Sequence, residues 1–568
     1  MSEQRNRIAP AGMKKWEAFQ KWLPALFLAV MAAVTLWMDV FVAQNLLDGD
    51  ASDFMVRGYT FFQKGNPFSN DYYLTTEPRL LDIPFVFFLF FHLFSDWTLV
   101  RVCGTVLIQA VYVLSFLFVL RQAGIRRSVR LTAAGFLLLP FSVNYARIVL
   151  YHIYYAPYLA QVFLLLGLAL ALMKPGRKTS SRIGLGVLYV LLWLYTGVNG
   201  IRILMTLGSP LVLLCLCGAL RFFRQIPATR EGLRSLNGRN QPILRLTGLT
   251  LLGLAGFFAG YVIYARFVVP YYGLPNQANR SFYLPGITPE TLLSVLTGFL
   301  ETIGVRVSQY RLVSVRGVSL LAALGVFGLL LFLSGRHMLR EKTPAKRILS
   351  GLFLASYVVN TGLLFLNLKR SFFYLYYVPV VSMAFLTLAV EWDSVKERTC
   401  SVARCLLAVC LALGLLFQGA YTIRYIRHCD ESSWDTWTGL PHTETDTAAE
   451  ARACAAFMQK EGYTHAMAIY WYASVIMEVS NGQADVVPCT VTEDGTVIHY
   501  PWGSRKSAFY RENLPDEMIV FLADGYDVTG RYPEAVQVFS GSRLNGYLIP
   551  TDEVLHPIIR FSQASAPY

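Results

Sequence analysis

Charge is what this 568-residue sequence has little of: Asp, Glu, Lys and Arg make up 15% of it, against 55% hydrophobic residues. That balance excludes a large soluble protein and points to a polytopic membrane chain. Acidic residues are the scarcer sign, 36 against 50 basic, for a net charge of +14. The basic excess falls in short connections between apolar runs, so it reports topology and does not imply nucleic acid. Nucleotide and zinc-protease signatures are absent, with no Walker-type glycine loop, no Rossmann fingerprint and no HExxH. The nine cysteines follow no metal or redox spacing. Cys103, Cys215, Cys217, Cys405 and Cys410 lie inside apolar runs, where a thiol packs as a small hydrophobe. Cys429, Cys454 and Cys489 lie in the C-terminal region, where a disulfide has room but no assigned pairing. No small-residue cleavage site follows the first apolar run, so Arg5, Arg7, Lys14 and Lys15, with Trp16 and Trp22, mark the inner flank of a retained span.

What is present is a series of apolar runs. Spans are expected at about 23–43, 98–120, 131–147, 156–173, 183–199, 201–221, 246–265, 316–335, 348–366, 372–390 and 403–422, about eleven in all. The piece IPFVFFLFFHL, 83–93, is short and aromatic and follows a Pro-containing segment. If it lies in the interface without crossing, Arg121–Arg130, Lys174–Arg182, Arg221–Arg245, Arg336–Arg347 and Glu391–Arg404 all face the cytoplasm, as does the N-terminus 1–22. It is therefore expected to be a juxtamembrane or re-entrant helix. This topology leaves outside the loops 44–97 and 266–315 and everything after about 423. The cell membrane is the expected location, with the C-terminal region extracytoplasmic.

The stretch Gln44–Asp82 follows the first span and carries Asp48, Asp50 and Asp53 within about two helical turns of the membrane. A carboxylate beside hydrocarbon loses hydration, and its pKa moves toward the range of a general base. Glu77 and Arg79 bring both signs of charge to the same segment. Arg101 stands at the outer start of the second span, where it snorkels to lipid phosphate or reaches a ligand. His152 sits among tyrosines in NYARIVLYHIYYAPY, a packing residue before it is a base, and Arg202 follows the tight turn TGVNGIR. Gly256 and Gly260 have the spacing of a close helix contact, and Thr288-Pro289 read as a helix cap and first residue. Lys369 and Arg370, in NLKRSFFYLYYVPVV, fall outside although cations favour the inside, which calls for an anionic ligand; Tyr374, Tyr376 and Tyr377 beside them suit an aromatic girdle or a sugar-stacking surface.

Beyond residue 430 the apolar periodicity stops. Ala448–Glu461 reads as a helix closed by Gly462, and HAMAIYWYAS, ADVVPCTV and MIVFLADG read as strands of a small α/β domain, 430–568. Carboxylates, cations and aromatic surfaces at the outer ends of spans suit a lipid-linked phosphate sugar: tail between spans, phosphate on Arg or Lys, sugar at the acids.

In its order of elements the chain resembles the integral membrane glycosyltransferases of the GT-C type. There the first external loop carries the catalytic acid, followed by a juxtamembrane helix, a span with an early Arg, and a later external turn with Arg, aromatics and Pro. The matching features are Asp50 with Asp48 and Asp53, then 83–95, then Arg101 in SDWTLVRV, then Arg370 in KRSFFYLYYVP. NDYYLTTEPRLLDIPFVF followed by SDWTLVRV also resembles a group of uncharacterised Firmicute-type membrane proteins, with acids matching Asp50, Asp53 and Glu77. The resemblance covers residues 20–425. It implies a membrane GT-C-like domain, 23–425, and transfer of a sugar from a polyprenyl-phosphate donor to an acceptor glycan, lipid or protein. Asp50 is expected as base, Asp53 second and Glu77 orienting, with Arg79, Arg202 and Arg370 on the phosphate and Asp48, Arg101, His152 and Lys369 as further binding groups. His152 stands where many members carry a second acid, so metal binding of the oligosaccharyltransferase kind is not implied; no cofactor is identified, and a divalent metal has only the common D-x-D of Asp48 and Asp50 behind it. A transporter or flippase of a polar lipid and a non-catalytic envelope assembly protein stay open as alternatives.

Overall fold

The computed structural model of the chain describes residues 11–74, 77–225, 241–273, 288–303, 315–341, 343–365, 377–397, 414–416, 419–420, 422–423 and 447–554, with 493, 524, 527 and 529 excepted. Helices stand at each expected span from 23–43 through 372–390, while 403–422 lies mostly outside the described residues. By length and composition six described helices can cross a membrane, or seven with one bent pair. The chain is a multi-pass membrane protein.

The first long helix, α1 (Ala11–Phe41), leads into α2 (Gly49–Lys64), which opens on Asp48 accepting from the Ala51 N–H at 2.9 Å and closes on Gly65 at φ +60°. Next comes α3 (Ile83–Phe91), capped by Asp82 with Pro84 in its first turn. Its nine residues rise about 14 Å, under half of the roughly 30 Å hydrocarbon layer, so it does not cross, as expected for 83–93. Asp96 caps α4 (Trp97–Gln122). The span expected at 131–147 is instead two pieces, α5 (Arg127–Leu138) and α6 (Val143–Tyr151), bent by 92°. Pro140 lies at the break, where it can neither donate to the helix ladder nor be preceded by helical backbone. The bend turns the end of α6 toward α2. Beyond it run α7 (Ala156–Met173) and α8 (Thr179–Val198).

Gly256 and Gly260 do what their spacing suggests. A Cβ on Gly256 would stand 3.1 Å from the Val190 carbonyl, so helix Gln241–Ile263 and α8 approach to backbone contact. Helix Pro289–Thr302 begins where Thr288 and Pro289 place it.

The first loop contributes a short strand, β1 (Tyr72–Tyr73), and the other strands belong to the C-terminal region. These are β2 (His465–Ile469), β3 (Asp485–Val491), β4 (Val497–His499), β5 (Ser504–Arg505), β6 (Glu517–Ala523), β7 (Val536–Ser540) and β8 (Leu544–Pro550). Six of them form one sheet in the order β4-β3-β2-β6-β8-β7. β2 pairs parallel with β3 and β6, and the other pairs are antiparallel. Helix Thr447–Glu461 ends before Gly462 at φ +79°, as its sequence predicts. YWYAS is not strand, however: β2 stops at Ile469, and Tyr470–Val479 is a helix. Its apolar residues bury on two sides, against the sheet and against the membrane part, so a continuous apolar run replaces the expected alternation.

That helix joins the two parts of the protein, packing on α2. Glu478 forms a buried pair with Arg101, whose Nη2 donates to Oε2 at 2.6 Å. Asn481 Oδ1 accepts from the Trp97 N–H at 2.7 Å. A second junction is the antiparallel pairing of β1 with β5. Both side chains of the Arg101–Glu478 pair are under a tenth exposed, so Glu478→Gln leaves a buried guanidinium unmatched. The expected result is a loss of about 3–5 kcal/mol, read as a lower thermal midpoint in detergent, most of it recovered in Arg101→Met/Glu478→Leu.

Candidate functional site

Three carboxylates within two turns of α2 meet three different environments. Asp48, at the cap, takes Arg147 Nη2 at 2.5 Å and has His152 Nδ1 at 3.4 Å. Burial opposes its charge, but the basic groups beside it and the Ala51 N–H hold it down to about 2. Burial drives His152 down to about 4, so its ring is neutral at physiological pH and the Asp48 charge is matched by Arg147. Asp53 is fully buried and accepts from the Tyr72 hydroxyl at 2.7 Å; burial pushes it up to about 7. Asp50, one turn before Asp53 on the same face, keeps part of its surface open and accepts from the Tyr470 hydroxyl at 2.6 Å. Burial first, then the Asp48 charge, push it up to about 6, against the pull of Tyr470, Arg147 and Arg79. Among the described residues Asp50 has no ion pair, and it is the least buried of the three acids.

A second cluster surrounds Glu77. Arg202 Nε donates to its Oε1 at 2.7 Å, Tyr158 donates its hydroxyl to Oε2, and Arg79 Nε lies 3.8 Å away. The Arg79 guanidinium lies over the rings of Tyr154, Phe54 and Tyr158 at 4.1, 4.7 and 4.7 Å. Arg202 lies 5.0–5.3 Å from the rings of Tyr155, Tyr158 and Tyr154. The segments that bring these groups together carry strain: Arg79, Leu81 and the β-branched Ile153 have φ of +45°, +53° and +51°. Arg57, behind them, donates to the Pro78 carbonyl at 2.5 Å. Two guanidinium groups, Arg79 and Arg202, thus face two carboxylates, Glu77 and Asp82, and the buried Arg79 Nη2 and Arg202 Nη1 have no hydrogen-bond acceptor among the described residues. The cluster has donors to spare for an anion.

The structure therefore brings Asp48, Asp50, Asp53, Glu77, Arg79, His152 and Arg202 into one region. Lys369 and Arg370, with Tyr374 and Tyr376, lie outside the described residues. Arg101 gives its Nε and Nη2 donors to Glu478 and the Ala51 carbonyl. His152 packs, its Nε2 bonded to the Leu46 carbonyl and its ring neutral, and Asp48 caps α2; neither is arranged to hold a phosphate. Sequence reasoning missed Tyr72, Tyr470 and Glu478, whose partners lie 19, 420 and 377 residues away. Among the described residues no group of three or more His, Cys, Asp or Glu is placed to hold a metal ion, and Cys454 and Cys489 are free and buried.

Fold and site together define a membrane-embedded helical protein with a buried acid and cation site roofed by its own C-terminal domain. No protein-family model matches the sequence, and no curated protein matches it. Among solved structures the chain is similar to ArnT from Cupriavidus metallidurans in the apo state, with a TM-score of 0.50 at 12% identity over 95% of this chain and 100% of that one. It is also similar to the same protein bound to undecaprenyl phosphate, with a TM-score of 0.49 at 12% identity over 93% and 98%. The Archaeoglobus fulgidus oligosaccharyltransferase AglB, in complex with an inhibitory peptide and a dolichol-phosphate, gives 0.46 at 13% over 89% and 70%. The chain shares the membrane fold of ArnT in the apo state.

The raised pKa of Asp53 has a stability consequence. The folded state binds this proton more tightly than the unfolded chain, whose carboxyl titrates near 3.8. The stability it contributes is full below about 4 and is lost as pH rises through about 7. Asp53→Asn keeps an acceptor for Tyr72 and removes the titration. At pH 8 the variant should be the more stable of the two, by about 1.4 kcal/mol for every pH unit that separates the folded and unfolded titrations of the wild-type carboxyl. Its thermal midpoint should also vary less between pH 4 and 8. An unaltered pH dependence refutes the assignment.

Proposed function

We propose that the chain is a glycosyltransferase that moves a sugar from a polyprenyl-phosphate donor to an acceptor glycan, lipid or protein on the outer face of the cell membrane. In this reading the N-terminus is cytoplasmic, residues 23–425 are the membrane domain and 430–568 an extracytoplasmic domain. The observation that carries it is Asp50: a partly buried acid pushed up to about 6, held by one hydroxyl and close enough to Arg79 to feel its charge. The GT-C fold supports sugar transfer over other membrane chemistries.

The acceptor hydroxyl gives its proton to Asp50 as its oxygen bonds to the anomeric carbon, and the bond from that carbon to the phosphate oxygen breaks with its electron pair. The phosphate so released carries more negative charge than the diester it came from. Arg79 and Arg202, with N–H groups that have no acceptor among the described residues, stabilise that charge. Asp53 is the second acid, and Glu77 orients Arg202 through the 2.7 Å bond. The Tyr470 hydroxyl lowers the Asp50 pKa and aims the carboxylate.

With membranes holding the full chain and a polyprenyl-phosphate sugar, Asp50→Asn should lower transfer by about 10²–10⁴ while lipid binding persists. Transfer at the wild-type rate removes Asp50 from the mechanism. The acid limb of the wild-type rate profile should fall near pH 6, and Tyr470→Phe, which deletes a bond to the charged form, should move that limb upward.

A further inference from the structure

The end of the helix bundle away from the acids holds a polar cavity. α4 runs 26 residues from Trp97, beside the acids, to Gln122, about 39 Å away along its axis. There it meets the end of α7 at Met173 and the turn Lys174-Pro175-Gly176-Arg177. Pro175 and Gly176 occupy the two central positions, and Gly176 at φ +77° has the backbone that a type II turn needs after proline. The turn folds Arg177 back toward α4. The result is a cavity of about 360 Å³ whose polar lining is Arg121, Gln122, Lys174 and Arg177 and whose apolar lining includes Phe118 and Leu185.

The charge there is one-sided. Gln122 Oε1 accepts from Lys174 Nζ at 3.0 Å and from Arg177 Nη2 at 3.5 Å, and among the described residues none of the three cations pairs with a carboxylate. Nearby basic residues are treated differently: Arg126 and Lys346 both reach the buried Asp393, at 2.9 and 2.8 Å. Burial and the neighbouring Arg177 and Arg121 charges hold the Lys174 pKa below its ordinary value, so an anion entering the cavity would relieve both effects.

We propose that this cavity binds the phosphate of an anionic phospholipid, with Arg121, Lys174 and Arg177 around the headgroup and the acyl chains along α4 and α8. The cavity lies at the helix ends, where the bilayer interface falls, and one turn from Phe118 and from Leu185 the exposed Leu114 of α4 and Leu188 of α8 extend its apolar wall. A soluble phosphate would use the same cations and gain nothing from that wall. Under the proposed orientation the leaflet is the cytoplasmic one. The site is separate from the transfer site and does not rest on that reading.

Native mass spectrometry of the full chain in neutral detergent, titrated with phosphatidylglycerol or phosphatidylcholine, tests it. Phosphatidylglycerol should bind in preference, and Lys174→Gln/Arg177→Gln should weaken it roughly 30-fold, about fivefold for each cation removed. Gln122→Glu keeps every cation but supplies the missing carboxylate, so it should weaken binding without depending on how the double variant folds. Lys178→Gln, exposed and outside the cavity lining, should bind as wild type. Undiminished phosphatidylglycerol binding in Gln122→Glu overturns the proposal. Displacement by equimolar inorganic phosphate overturns the lipid assignment and makes the site one for a soluble anion.

Discussion

The first turn of α2 is covered by helix Tyr470–Val479, and the rest of the arrangement follows from that contact. Gly49 permits it, since a Cβ there would stand 2.8 Å from the Tyr470 carbonyl oxygen. With water excluded, three neighbouring carboxylates cannot all hold a charge without a large penalty. The fold divides the problem: Asp48 is ionised against Arg147, Asp53 is raised to about 7 under the Tyr72 hydroxyl, and Asp50 is left between them. Neutral hydroxyl donors suit the last two because they do not force ionisation as a guanidinium would. The acid that remains adjustable is the one with an open edge.

The C-terminal domain is therefore part of the site it covers. A buried ion pair such as Arg101–Glu478 contributes little net stability compared with an apolar pair, but a misplaced partner is costly, so it fixes position. The short ladder of β1 with β5 works in the same way at the other end of the first loop. Between these fixed points Tyr470 reaches Asp50, and the proton affinity of a residue in the first loop, raised by burial and by Asp48, is moderated by a side chain from the C-terminal region. Removing the domain would change the chemistry of α2 even if every span stayed in place.

Much of this was legible in the sequence, and the exceptions share a cause. Hydropathy located the long apolar helices, the distribution of Arg and Lys kept 83–93 from being counted among them, and Thr288-Pro289 marked a helix start, because these are local properties of the chain. Local reasoning also collected Asp50, Asp53, Glu77, Arg79 and Arg202, since charge at the end of an apolar run is conspicuous. Pro140 was visible, but the 92° bend it permits depends on what the bent pieces pack against. Tyr470 and Glu478 gave no signal, because an aromatic and an acid in a soluble-looking segment acquire meaning only from partners hundreds of residues away. The same limit explains why YWYAS looked like strand: a helix buried on two sides has no polar face to show its period.

The choice of residues around Glu77 has its own logic. A lysine would meet an anion as a point charge with a strong hydration shell, costly to remove in a buried site, whereas a guanidinium has a weakly hydrated face and N–H donors confined to its plane. Tyr154, Tyr155 and Tyr158 lie close to the two guanidinium groups, so the desolvated cations are stabilised by ring faces that consume no donor. Glu77 accepts from Nε of Arg202 and the Tyr154 carbonyl from Nη1 of Arg79, which leaves Arg202 Nη1 and Arg79 Nη2 without acceptors among the described residues. An anion approaching these free N–H groups meets prepositioned donors and displaces no protein partner. The strained backbone at Arg79 and Ile153 is the cost of holding both sides of this cluster in place.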